Sequence, residues 1–502
     1  MEYAGRSAER NLLAMNRQFR RQIYTWCLLA LALLCIHGAS ADQAQPSNAS
    51  LAGIVNQALA NPVLAHGIQG VLIESLKDGR VLYEKNNDLV LIPASNFKLI
   101  VSAAALDLLG PDYRIRTCLY VSGEQTPEGT LKGDVILAGK GDPILRHEHL
   151  QAMAAKIKEM GIKAVEGNIV GDDTWFDDVR LGCGWSWDDE PYYYAAPISA
   201  LNLNENIVDV WVRPGRRVGD PALVKVTPPT GYLIVRNECK TSEVGSARSI
   251  FVDRAHGRNT IRVTGAVPLD YKPESAEEAI TVEEPTLFAC QILIEMLRRE
   301  GVEVKGQPVR GRNPEGDRLI AAHDSPPLSE MLPLLNKPSD NLIAECLLKT
   351  LGAQIKGNGT SEAGKEIVLE FLRRIGADMT AISIADGSGL SRMNYVSPSN
   401  LVKLLKYMYR HKHAGVYLNS LSVAGVDGTL QNRMKGTAAE RNVRAKTGYV
   451  SGVSAISGFV TTKAGEPLVF SVLMNNHLCR NREAMAIQDS ILAALANLGG
   501  SE

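Results

Sequence analysis

The stretch "IPASNFKLI" (residues 92–100) sets a serine and a lysine three residues apart at the opening of an apolar run, "LIVSAAALDLLG", that stops at Gly110-Pro111. Residues i and i+3 of a helix share a face, so Ser95 and Lys98 can meet. A serine hydroxyl is a poor nucleophile near neutral pH unless a base lies within hydrogen-bond reach. A lysine serves as that base only where desolvation or a nearby cation leaves part of the amine neutral. The competing interpretation is that Ser95 caps the helix, a common use of serine, and a single Ser-x-x-Lys match leaves that open.

Two later stretches bear on the choice. "NKPSDNLIAE" (336–345) runs from a loop-like Lys-Pro through Ser339-Asp340-Asn341 into a helix, and "RNVRAKTGYVSGVSAISGFV" (441–460) places Lys446-Thr447-Gly448 ahead of an alternating strand. Taken singly, the first is an N-cap and the second an exposed lysine before a bulged strand. Together, Ser-x-x-Lys, Ser-Asp-Asn and Lys-Thr-Gly in this order, each at the edge of an element, form the signature set of penicillin-recognising serine enzymes. Ser95 is therefore read as a nucleophile.

A chain of 502 residues predicts two or three domains. Lys plus Arg is 54 against 55 for Asp plus Glu, so no excess of positive charge points to nucleic acid. "RQFRRQ" (17–22) followed by the apolar "IYTWCLLALALLCIHGASA" (23–41) has the form of a secretory signal peptide, with cleavage after Ala41 and Met15 as a second candidate start. An uncleaved anchor is the alternative. Beyond Ala41 the cysteines at 118, 183, 239, 290, 346 and 479 include no C-x-x-C pair, and Cys183 with Cys239 stays open as a disulfide. His147 and His149 alternate on a probable helix and do not share a face, so no metal site and no cofactor is assigned.

The patterning predicts an α+β fold. "LAGIVNQALA" (51–60) has helical spacing, and "GVLIESLKDGRVLYEKN" (70–86) reads as a hairpin about Lys77-Asp78-Gly79-Arg80. Residues 118–285 break into short alternating runs, a β-rich insertion of one or two subdomains. Strong helical patterns return from 286, followed by two strand-like runs and a last amphipathic helix. The expected architecture is helices around an antiparallel sheet made from both ends of the chain, with a catalytic domain in 51–117 and 286–500.

"PASNFKL", "GDVILAGKGDPIL", "GDDTWFDD", "WDDEPYYYAAPISALNLNEN", "KPSDNLIAE", "ADGSGLSRMNYVSP" and "RAKTGYVSGVSAISGFV" extend the match from about residue 51 to 478. In these the chain resembles the class C low-molecular-mass penicillin-binding proteins, the D-alanyl-D-alanine carboxypeptidase/endopeptidase family of the penicillin-binding protein 4 type (peptidase family S13). The resemblance implies a β-lactamase-like catalytic domain and a periplasmic hydrolase of peptidoglycan stem peptides that β-lactams acylate. It makes Ser95 the nucleophile, Lys98 its base, and Ser339 with Lys446 the relay to the departing amine. Asn341 then holds the substrate amide, and Lys446 and Thr447 take its carboxylate. Gly448 lets its backbone approach, and the Ser95 and Tyr449 amides form an oxyanion hole. Asp189 is a candidate for a diaminopimelate amino group or an ordinary turn acid, and Arg392 for a substrate carboxylate or a structural ion pair. A homodimer is compatible with the resemblance. A β-lactamase or esterase on the same scaffold, and a wall-binding protein without activity, are the rival interpretations.

Overall fold

A computed structural model describes residues 50–499 apart from residue 315. The expected segments 1–41 lie outside the described residues. Among the described residues no helix is long and apolar enough to cross a membrane.

Both ends of the chain enter one antiparallel sheet, in the order Val81–Lys85, Ile68–Ser75, Pro467–Asn475, Val453–Thr461, Arg444–Val450, Ser422–Val423. Ile68–Ser75 pairs with Pro467–Asn475 from Ile68 opposite Asn475 to Ser75 opposite Leu468. The central strands are buried at nearly every position because both faces are covered. Val469 and Leu473 face a helical layer, whereas Phe470, Val472 and Met474 face Leu51–Leu59 and Asn481–Asn497 on the opposite side. In the helical layer, Lys98–Leu109 is buried from Lys98 to Leu106 with no polar face, as befits a helix enclosed on all sides. Around it pack Leu328–Asn336, Asn341–Lys356, Ser361–Arg374 and Pro398–Tyr409.

A second core lies in the inserted segment. Its five-stranded sheet runs Pro308–Arg310, Ile169–Asp172, Val135–Ala138, Arg116–Val121, Arg318–Asp324, and two three-stranded sheets lie beyond it. The return to the first unit at 286 needs correcting. Helix Pro285–Arg299 packs Phe288, Ile292, Leu293 and Leu297 among Leu119, Leu137, Ile157 and Val165 of the second core. Strand Arg318–Asp324 then pairs with Arg116–Val121. We therefore place the return near residue 325. The helical periodicity of 286–300 was legible, but periodicity does not say which sheet a helix covers. Cys183 is exposed and Cys239 buried, and both are free thiols.

At the junction, Phe176, Ile198 and Ala200 of the insertion meet Leu342 and Cys346. Beside them the fully buried Lys349 donates to the Asp177 carboxylate at 2.5 Å and to the Val179 carbonyl at 2.6 Å. Lys349→Met is expected to lower stability by about 2–3 kcal/mol, because two acceptors lose a charged donor. A melting temperature equal to that of the unaltered protein would show that the junction does not depend on this contact.

Candidate active site

The nucleophile segment is anchored at its start. Asn475, at the end of a central strand, accepts the Ile92 amide at 2.7 Å and donates to the Ile92 carbonyl at 3.0 Å. The chain then passes through Ala94, whose φ of 47° is a left-handed conformation that costs a non-glycine residue about 1 kcal/mol or more. A 3₁₀ turn, Ala94–Phe97, leads into helix Lys98–Leu109. No side chain caps this helix. The half-buried Ser95 hydroxyl instead meets Lys98 Nζ at 2.8 Å, which resolves its role against the cap.

Lys98 is completely buried, and its Nζ also donates to Asn341 Oδ1 at 2.5 Å and to the Ser388 carbonyl at 2.6 Å. Removal from water presses its pKa down to about 8, against the opposing pull of Asp386, Asp340 and Glu345. Asn341 is the first residue of its helix and is held in turn, its Nδ2 donating to the Tyr194 carbonyl of the insertion at 2.7 Å. The helix cap is Asp340, which accepts the Ile343 amide at 2.8 Å. Ser339, at φ 68°, is thereby spared that duty, and its half-buried hydroxyl has no protein partner among the described residues.

Strand Arg444–Val450 forms the opposite wall. Lys446 is fully buried and donates to the Thr447 carbonyl at 2.9 Å. No carboxylate pairs with it among the described residues, and burial, with the nearby Lys98 cation second, holds its ammonium well below the ordinary lysine value. The Thr447 hydroxyl donates to Thr429 Oγ1 at 2.7 Å, and the Thr429 amide reaches the Lys337 carbonyl at 3.0 Å, tying this strand to the loop before Ser339. A Cβ on Gly448 would lie 2.6 Å from the Pro93 carbonyl oxygen and 3.0 Å from the Ser95 amide. Glycine is therefore required at 448 by the nucleophile turn itself, ahead of any need of a substrate backbone. The Tyr449 side chain is exposed.

The third wall is the turn around Ser388. Asp386 accepts the amides of Gly389 and Ser391, both at 2.7 Å, and the indole N–H of Trp185 at 2.8 Å. Gly389, at φ 79°, passes so close to the nucleophile turn that a Cβ would lie 2.0 Å from the Ala94 carbonyl oxygen. The exposed Arg392 donates to the Ser451 carbonyl at 2.6 Å. The half-buried Asp189 accepts the Tyr194 hydroxyl at 2.8 Å, so it joins the site through the residue whose carbonyl holds Asn341.

The structure thus brings Ser95, Lys98 and Asn341 into direct contact, with Lys446–Gly448 against them, and leaves Asp189 and Arg392 on flanking segments. Glu345, Asp386, Ser388, Thr429 and Asn475 were not foreseen. Only Glu345 carried a signal, a carboxylate in the otherwise apolar run "LIAECLL" four residues after Asn341.

Lysine in place of histidine as the partner of the reactive serine separates this site from the Ser-His-Asp hydrolases and puts it among the Ser-x-x-Lys acyl-transfer enzymes. Residues 51–498 match the D-Ala-D-Ala carboxypeptidase 3 (S13) family, and the chain belongs to that family. It is 39% identical to a D-alanyl-D-alanine carboxypeptidase of Actinomadura sp. (strain R39), over 95% of this chain and 90% of the relative. It is 28% identical to a D-alanyl-D-alanine carboxypeptidase of Haemophilus influenzae, over 81% and 85%. The crystal structure of penicillin binding protein 4 from Haemophilus influenzae superposes with a TM-score of 0.79 at 25% identity, covering 88% of this chain and 99% of that one. The chain is a serine-type D-Ala-D-Ala carboxypeptidase on an α+β, penicillin-binding fold.

Gly448→Ala is expected to cut D-alanine release from a D-alanyl-D-alanine peptide at least about tenfold, or about 1.4 kcal/mol of barrier, by pushing the strand off the Ser95 turn. Unchanged turnover in a steady-state assay would mean that the turn can give way without loss.

Proposed function

We propose that Ser95, Lys98, Ser339 and Lys446 carry out carboxypeptidase and cross-link endopeptidase chemistry on peptidoglycan stem peptides. The observation that carries this assignment is the 2.8 Å contact between the fully buried Lys98 Nζ and the half-buried Ser95 Oγ. A neutral amine keeps two N–H groups, for Asn341 Oδ1 and the Ser388 carbonyl, and turns its lone pair to the Ser95 hydroxyl. The Ser95 oxygen attacks the carbonyl ahead of the last D-alanine while its proton passes to Lys98. The Ser95 and Tyr449 amides receive the developing oxyanion, and one such donor is worth about 3 kcal/mol of barrier.

Collapse of the tetrahedral intermediate breaks the C–N bond. The departing amine takes a proton from the Ser339 hydroxyl, which is refilled with the proton that Lys98 took from Ser95, so Lys98 is neutral again; Lys446 flanks this relay. Water then attacks the acyl-enzyme, again giving its proton to Lys98, and Ser95 is regenerated. Lys446 is buried with no carboxylate beside it among the described residues, and the substrate's terminal carboxylate supplies the counter-charge that favours its ammonium, with the Thr447 hydroxyl alongside. Asn341 orients the substrate amide. Asp189 and Arg392 reach a diaminopimelate amino group and a carboxylate, respectively, at the cleft edge.

A β-lactam presents a strained amide and a carboxylate in the same relation, and penicillin binding protein 4 from Haemophilus influenzae has been crystallised with one. Acylation of Ser95 followed by slow hydrolysis is the corresponding outcome here. Export to the periplasm, with cleavage after Ala41, agrees with a substrate in the wall.

Intact-mass measurement with benzylpenicillin should give one adduct on the unaltered protein and none on Ser95→Ala; an adduct on the variant would move the nucleophile elsewhere, and consumption of penicillin with no adduct would favour a β-lactamase. Because the neutral form of Lys98 is the base, acylation should rise with pH through about 8, with only about a tenth of the limiting rate at pH 7. A rate that is flat from pH 6 to about 10 would exclude Lys98 as the titrating base.

A further inference from the structure

Helix Asn341–Lys356 buries a carboxylate, Glu345, that the catalytic steps above do not use. Glu345 lies four residues after Asn341, on the same face, and is 1% exposed. Its carboxylate accepts the Gly387 amide at 3.0 and 3.1 Å and the Ser388 amide at 2.8 Å. The carbonyl of that same Ser388 receives Lys98 Nζ at 2.6 Å. An apolar residue at 345 would leave two buried amides without acceptors, so the turn as it stands requires an acceptor there.

We infer that Glu345 is a positioning residue for the base: it pins the Gly387–Ser388 turn so that the Ser388 carbonyl holds Lys98 against Ser95, and its negative charge is one of the attractions that retain the Lys98 proton. It touches neither Ser95 nor the place of a substrate. The inference rests on Ser95 and Lys98 being the acylating pair.

The charged groups around Lys98 come from three elements. Asp340 and Glu345 belong to the helix and Asp386 to the Ser388 turn, and these favour the ammonium. Lys446 on the strand is a nearby cation, and its own ammonium is disfavoured by burial first and by Lys98 second. Glu345 also faces Asp386, and its own pKa is pushed up to about 7, by burial first and by that neighbour second. It is therefore half ionised near pH 7 and largely ionised at the midpoint of the Lys98 titration, about 8, so its charge bears on that midpoint and the limb above it. Neutralising Glu345 removes an attraction for the Lys98 proton, so the sign is fixed: the amine is freed at lower pH. A residue that only filled space or satisfied amides would lower the rate without moving the profile.

The experiment is the benzylpenicillin acylation rate from about pH 6 to 10, by intact mass, for the unaltered enzyme, Glu345→Gln and Glu345→Asp, with melting curves alongside. Glu345→Gln should move the midpoint of the rising limb down by about 0.5 in pH or more, which is roughly a one-and-a-half-fold gain at about pH 8 relative to its own plateau. Glu345→Asp keeps the charge and shortens the reach, so its limb should stay in place while its plateau falls. It carries the test alone if the glutamine variant does not fold. A uniform loss in Glu345→Gln with an unmoved limb, or a limb in Glu345→Asp that shifts to lower pH, overturns the inference while leaving the acylating pair intact. An unaltered protein that takes up no penicillin at any pH overturns the pair, and the inference with it.

Discussion

The site depends on an amine kept out of water. A lysine side chain in solvent is an ammonium that can accept no proton at neutral pH, so the chemistry requires a place where that charge is poorly solvated and yet every N–H has an acceptor. The helix Lys98–Leu109 meets the first condition by being apolar all round and enclosed in the middle of the helical layer. The second is met by Ser95 of the nucleophile turn, Asn341 of helix Asn341–Lys356 and Ser388 of its turn. Desolvation and the attraction of Asp386, Asp340 and Glu345 work in opposite senses on the proton affinity, and the excess of the first over the second leaves Lys98 a usable base.

The inserted unit is part of this arrangement and not an ornament on it. Tyr194 offers the carbonyl that orients Asn341, and Trp185 offers the indole N–H that helps fix Asp386. Both lie in the segment that also packs Phe176, Ile198 and Ala200 against the catalytic helix. The junction that joins the two cores therefore also sets the orientation of an amide in direct contact with the base. Changes far out in the insertion have a short route to the chemistry, through Tyr194 and through the Asp189 carboxylate that holds its hydroxyl.

Much of this was legible in the sequence. The three motifs named Ser95, Lys98 and Asn341, which the structure brings into contact, and Gly448, which lies against the Ser95 turn, because each motif combines residue types whose chemistry is specific with a position at the edge of an element. The sheet built from both ends was readable from apolar runs near 70 and 470. What escaped is instructive in kind. The helix at 285 has an apolar stripe that fits either core, and only the pairing of Arg318–Asp324 with Arg116–Val121 assigns it. Ser388 acts through its backbone carbonyl, which no side-chain pattern announces. Gly448 and Gly389 are demanded by carbonyl groups of Pro93 and Ala94 more than 290 residues away in the chain, a contact without a local signal.

The acceptors of Lys98 at Asn341 and Ser388 stand 243 and 290 residues further along the chain. Nucleophile and base are neighbours in sequence, yet they become a reactive pair only when those distant segments arrive, and closing such long loops comes late among the contacts of a folding chain. A nascent or truncated polypeptide ending before residue 388 carries both residues and none of the reactivity, since its lysine is an ordinary solvated ammonium. Hydrolytic power is in this sense a readout of completed tertiary structure, switched on by the last walls of the cleft to close.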